Sequence, residues 1–358
     1  MELSDKTNIA NLAQTDIAES SWMQGIAIPV LDIGEHSMDA HSMYGEASPQ
    51  EMVFLQNALK MDDDDATGAA YSDISLTTTS SDMPAHFVSE ISHTGIDFMR
   101  IDTGSQPFPV SKEGVSLLER NSPLVMYSTR QTHAFHAEMM QTFQILGYKA
   151  YRLVPGIGCL SPVHINDDDM YDSNLYCCKP DRAARLSARG LLLRRDIDMT
   201  VGIRTAPDLW IDDLQHYPYA IQLLPLWAQF IEKNGMDTLW LVHQEALSSY
   251  AVSRLNQLPP QDRFQALYWS YLLIEDIVRE AATFSRLMTL ARITSDLGYW
   301  GRTSDVIERL LRMLDASEDV SVNEPFLAIS ERFERLDPKL AIGDWCLASF
   351  IEARQTGL

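Results

Sequence analysis

Basic residues are scarce in this chain. Lys and Arg number 28 against 50 Asp and Glu in 358 residues, a formal charge of −22. An excess of this sign repels phosphate backbones and anionic headgroups at long range, so neither nucleic acid nor a membrane surface is expected as a partner. Cysteine is scarcer still. Cys159, Cys177, Cys178 and Cys346 follow no regular spacing and include no Cys-x-x-Cys pair, which argues against a disulfide framework or a zinc knuckle and fits a reducing cytoplasm. Long apolar runs are missing too. The longest, Tyr219 to Ile231, is interrupted by Gln222, Pro225 and Gln229 and falls short of the about 20 residues that a membrane span needs. Met1 to Asn11 lacks a basic start followed by an apolar core, so no secretory signal is expected. No Gly-x-Ser-x-Gly elbow, P-loop or complete dinucleotide fingerprint occurs.

What is present suffices for a globular protein. With 46% apolar residues, a chain of this length can build one large core or two ordinary ones without staples. Met1 to about Ser92 is polar and includes the run Asp62-Asp63-Asp64-Asp65, read as an exposed loop because adjacent carboxylates repel and offer nothing to bury. The run lacks the alternating ligands and central glycine of a calcium loop, so no metal is expected there.

From Ile96 to about Val201, strand and helix patterns alternate. Ile96 to Ile101, Pro123 to Tyr127, Tyr151 to Val154, Cys159 to Val163 and Leu175 to Cys178 read as strands. Lys112 to Arg120 and His133 to Leu146 read as helices, with Gly147 as a stop. Alternation of this kind predicts a largely parallel sheet, and the closely spaced later strands predict an antiparallel edge. Beyond Thr205 the pattern is helical: Tyr219 to Lys233, Asp237 to Leu255, Asp262 to Ile277, Glu280 to Leu297, Thr303 to Asp315 and Ile342 to Arg354, with Asn323 to Pro338 as an extended connection. No fixed repeat period is found. The expected domains are therefore 1–205, α/β, and 206–358, all-α.

Asp102 ends the first of these strands. Ligands of open α/β sheets sit beyond the carboxyl ends of the strands, so an acid there can face a crevice; it can equally cap the turn Thr103-Gly104-Ser105. Ile96-Asp97-Phe98-Met99-Arg100-Ile101-Asp102, Glu119-Arg120-Asn121-Ser122-Pro123-Leu124-Val125-Met126-Tyr127 and Phe143-Gln144-Ile145-Leu146-Gly147-Tyr148 resemble the second half of FkbM-type methyltransferases. Tyr151 to Gly156 and Asn174 to Leu186 are similar to segments of a bacterial subset of that family, and Leu3-Ser4-Asp5-Lys6-Thr7 with Ala10 and Leu12 to a stretch midway through its domain. The likeness spans the first 200 residues or so and is continuous over 96–190. It implies a Rossmann-like sheet, S-adenosylmethionine as cofactor, O-methylation as the reaction, and Asp102 and Asp5 beside the cofactor.

Two departures follow from the same alignment. The chain would begin after the family's Gly-rich cofactor loop, and the Glu of the family's Asp-x-Glu-Gly is replaced by Gly104. A competing alignment puts the cofactor loop at Val30 to Ser37. There only Gly34 permits close approach, and Glu35 and His36 would obstruct a bound carboxylate.

Other clusters carry less. His133 and His136 with Glu138 lack the spacing of helical zinc sites, so no metal is expected. Cys177 and Cys178 should point to opposite faces of a strand as buried thiols. Asp181, Arg182, Arg185 and Arg189 form a basic helical face that could take an anion or pair within the chain. Trp210, Trp227, Trp240, Trp269, Trp300 and Trp345 supply core to the helical part or a groove for a partner.

The favoured expectation is a degenerate FkbM-like homologue that no longer transfers methyl groups. It would bind a protein partner, or a second copy, through its helical part. The alternative is an active S-adenosylmethionine-dependent O-methyltransferase with an atypical or partner-completed cofactor site.

Overall fold

The structure, a computed structural model, describes residues 48–59, 98–101, 118–128, 140–163, 174–194, 206–315, 321–339 and 342–356. Met1–Gly45 form one unit, which lies outside the described residues, and Glu46–Leu358 form a second, compact one.

In chain order the labelled elements are α1 (Pro49–Leu59), β1 (Phe98–Ile101), β2 (Leu124–Ser128), β3 (Lys149–Val154), β4 (Cys159–Pro162), β5 (Asn174–Cys178), α2 (Pro180–Ala188), α3 (Leu209–Leu214), α4 (Pro218–Asn234), α5 (Thr238–Ser253), α6 (Pro260–Glu280), α7 (Phe284–Leu297), α8 (Trp300–Asp315), α9 (Glu331–Arg335) and α10 (Ile342–Thr356). Residues 118–121 and 140–145 are also helical, and Gly147, at φ +81°, ends the latter as its lack of a side chain allows. Among the described residues, no helix is long and apolar enough to cross a membrane.

The five strands form one mixed sheet in the order β1-β2-β5-β3-β4. Among the described strands, β1 and β2 pair in parallel, while β2 with β5, β5 with β3, and β3 with β4 are antiparallel; Leu160 of β4 also forms an isolated parallel bridge with Leu192. A largely parallel sheet is thus corrected to a mixed one. The strand segments are close to those expected, but β5 inserts in reverse between β2 and β3, and nothing local in its sequence encodes that pairing.

Helices α4 to α8 start where polar caps and prolines allow. Asp237 accepts from Trp240 N at 3.0 Å before α5, Thr283 accepts from Arg286 N at 3.2 Å before α7, and Pro218 and Pro260 take first-turn positions where no donor is lost. Trp210, Trp227 and Trp240 are buried together, with ring centroids 5.9 to 6.3 Å apart around Trp210. These three indoles belong to the core rather than to an open groove. Val154, Ile157, Cys159 and Leu193 of the sheet region join the same apolar cluster as the helices.

The join is tight at two glycines. Gly156 donates its N–H to Asp296 O at 2.9 Å, and a Cβ there would lie 2.6 Å from the Asp296 Cβ. Gly298 ends α7 at φ +75°, where a Cβ would meet Leu153 O at 2.7 Å. Arg152 of β3 stacks over Tyr299 at 4.3 Å and donates to its hydroxyl at 3.0 Å.

Asn323 to Pro338, expected to be an extended connection, is only partly so. Residues 321–329 are irregular, 324–329 are buried, and α9 follows. Three further helices went unread or were only hinted at: α1, in the polar N-terminal stretch; α3, a single turn and a half; and α2, inferred only from its arginines.

Candidate functional site

In an open α/β sheet the ligand crevice lies beyond the carboxyl ends of the parallel strands. Here that rim is set by the ends of β1 and β2, where Ile101 pairs with Tyr127 and Ser128 pairs with Asn174 at the start of β5. Asp102 follows Ile101 in the chain, and both it and Asp5 lie outside the described residues, as do Asp62 to Asp65, Gly34, Gly104, His133 and His136.

The described rim receives a different acid, Glu51, carried by the first turn of α1. Ser48 and Glu51 form a reciprocal cap: Ser48 N donates to Glu51 Oε2 at 2.8 Å, and Glu51 N donates to Ser48 Oγ at 3.3 Å. The Glu51 carboxylate also accepts from Asn174 Nδ2, at 2.9 Å on Oε1 and 3.1 Å on Oε2, and from Tyr176 Oη at 3.2 Å. Tyr176 is buried, and that burial, reinforced by the neighbouring carboxylate, raises its pKa well above the ordinary phenol value, so it stays a donor. Phe54, one turn further along α1, packs edge-on against the Tyr176 ring at 5.3 Å. At the other end of α1, Arg189 donates to the carbonyls of Asn57 and Ala58. With Asn174, Tyr176 and the Ser48 amide on its two oxygens, Glu51 has little acceptor capacity left for a base's proton or a metal ion. Its arrangement anchors a helix. The sequence signal was Ser48-Pro49-Gln50-Glu51, a capping box with proline at the first helical position, lying in a stretch read only for its polarity.

The arginines of α2 are engaged within the chain, the second of the two outcomes expected for them. Arg182 is buried and donates to Ser122 O at 2.9 Å, Arg189 serves α1, and Arg185 pairs with Asp181 at 3.6 Å in solvent. Cys177 and Cys178 are buried thiols on β5, and burial pushes the second up to about 12.

Two charged clusters lie among the helices. His243 of α5 stands 2.9 Å from Glu324 Oε1 through Nδ1 and 3.4 Å from Thr289 Oγ1 through Nε2, an arrangement with the outline of a hydroxyl, imidazole and carboxylate triad. It has none of a triad's access. All three residues are buried, and the Thr289 hydroxyl already donates to Ser285 O at 3.1 Å. Glu324 further accepts from Arg286 Nε and Thr283 Oγ1, each at 2.8 Å. Burial raises its carboxyl, but hydrogen bonding and charge from His243 and Arg286 outweigh that and hold it down at about 2.

In the second cluster, Glu334 receives Arg254 Nη2 at 3.0 Å and Arg292 Nη1 at 3.1 Å, while Arg292 Nε and Tyr250 Oη both donate to Asp296 Oδ2, at 2.9 and 2.7 Å. Two guanidiniums balance two carboxylates. Asp213 beside them is raised above its ordinary value, chiefly by burial; Arg254 opposes the shift and Glu334 adds to it. Among the described residues, no three His, Cys, Asp or Glu side chains are grouped so as to hold a metal ion.

These features define a class only: a small mixed sheet joined to a helical array, with its charged groups engaged within the fold. No protein-family model, curated protein or solved structure matches the chain.

Proposed function

We propose that this chain is a binding protein, a partner subunit built on the second half of a methyltransferase-type sheet that no longer transfers methyl groups. The strand order supports the sheet's ancestry. A reversed strand lies between two that run the same way, and residues 118–121 before β2 and 140–145 before β3 are helical, in keeping with the strand-helix alternation of open α/β sheets. The FkbM resemblance over 96–190 covers these same strands.

The rim carries the argument for binding without catalysis. Methyl transfer is mostly positioning of a sulfonium against a nucleophile, which calls for open polar groups beyond the strand ends. Among the described residues at the end of β2, the carboxylate is Glu51, and its acceptors are taken by Asn174, Tyr176 and Ser48. The helical part offers surface for a partner: Leu347 and Ile351, one turn apart on α10, are both exposed.

Isothermal titration of the full chain with S-adenosylmethionine and S-adenosylhomocysteine tests this reading. No heat from either, together with a second chain that co-purifies, is the expected result. Micromolar binding would overturn it in favour of an active O-methyltransferase.

A further inference from the structure

Backbone groups inside a protein must find partners, and irregular segments therefore usually run over the surface. Residues 324–329 do not. They pass between helices with Glu324, Phe326, Leu327, Ala328 and Ile329 all buried, and their main chain is met by side chains. Tyr219 Oη donates to Phe326 O at 3.0 Å and accepts from Ala328 N at 3.2 Å. Thr289 Oγ1 accepts from Leu327 N at 3.3 Å, Trp227 Nε1 donates to Val322 O at 3.0 Å, and Arg292 Nη1 donates to Ala328 O at 3.3 Å. Phe326 fills an aromatic pocket between Tyr219 and Trp227, at 5.7 and 5.8 Å, and Glu324 enters the basic pocket of His243 and Arg286.

These groups come from α4, α5 and α7. Main-chain bonds that ignore sequence, combined with one charged and one aromatic pocket that read it, are the physical basis of peptide recognition. A desolvated carboxylate with its cations seldom outperforms apolar packing, but it penalises any wrong register heavily.

We propose that α4, α5 and α7 form a peptide-recognition groove that 321–329 occupies in cis, and that its ligand in trans is an extended segment of a partner protein with the chemistry Glu-Pro-aromatic-apolar. This deepens the binding reading above by naming the ligand class. Charge selects the occupant: in a chain of net charge −22, the groove sets Arg286 and His243 against the acidic residue Glu324, while Arg292 reaches the main chain at Ala328 O. A tethered segment competes at millimolar effective concentration, so the groove opens to a ligand only when the resident is weakened.

The test uses the full chain carrying Leu327→Ala, and a fluorescein-labelled synthetic peptide with the natural sequence of residues 319–331. Fluorescence anisotropy is expected to give at least about tenfold tighter binding to the variant than to the unmodified chain. The peptide should raise the variant's Tm, and a peptide with Lys in place of the glutamate matching Glu324 should do neither. Where Leu327→Ala does not fold, the milder Ile329→Val, which trims the resident segment and leaves the groove residues unchanged, takes its place. A folded variant that ignores the peptide, or that responds equally to the Lys peptide, overturns the proposal. Variant dimers that dissolve on adding peptide overturn the choice of occupant in favour of a second copy. Because the readout contains no adenosyl ligand, failure here leaves the reading of the sheet standing, and cofactor binding there would leave this result standing.

Discussion

The protonation of Glu324 is coupled to folding. Its pKa falls from 4.5 to about 2 on folding, so the stability it confers is complete above about pH 4.5 and is lost as the pH drops through 2. A shift of that size corresponds to about 3 kcal/mol. Urea unfolding at a series of pH values should therefore show a fall across this window that Glu324→Gln flattens; an unchanged slope in the variant would assign the acid sensitivity elsewhere. Glu51 makes a smaller claim. Its loss removes a cap and the bonds to Asn174 and Tyr176, so Glu51→Ala should cost about 1–3 kcal/mol by the same measurement, with Glu51→Gln recovering part of it. The four cysteines, all buried and free, should be silent to a thiol reagent in the native chain and react in full once it is denatured. Cys177 and Cys178 were legible at this scale because alternation along a strand is geometry. Glu51 was not, because a capping box becomes visible only when a helix is already suspected.

Among the elements, α4 to α8 and α10 were read nearly to their ends because each combines an apolar period with a physical stop. Asp237, Thr283, Pro260 and Gly298 are such signals in the chain itself. The break between α6 and α7 falls at 281–283, slightly beyond the Glu280 expected as the start of the second, since Thr283 rather than the acid supplies the cap. The segment 321–329 was misjudged for a definite reason. Asn323 and Pro325 advertise a loop, and the run Phe326-Leu327-Ala328-Ile329 is too short to display a period. Gly298 is where element and junction coincide. Gly298→Ala has to place a methyl 2.7 Å from Leu153 O in left-handed backbone, and should cost about 2 kcal/mol or more in thermal unfolding, well above the cost of a surface substitution.

At the scale of the molecule, sheet and helices share apolar contacts through Val154, Ile157, Cys159 and Leu193. Residues 206–358 made alone should therefore lack part of their core. Their near-ultraviolet circular dichroism should be weak beside that of the full chain, and a fully native signal would show that the helical part stands by itself. The order of the sheet bears on how the chain is made. β5 is the last strand to leave the ribosome and the middle strand of the sheet, so until Asn174 to Cys178 emerge, β2 and β3 each wait with an open edge. The newborn polypeptide spends that interval exposed to wrong pairing and aggregation, and its yield in the cell should depend on how quickly the ribosome crosses this stretch or how well a chaperone shields it.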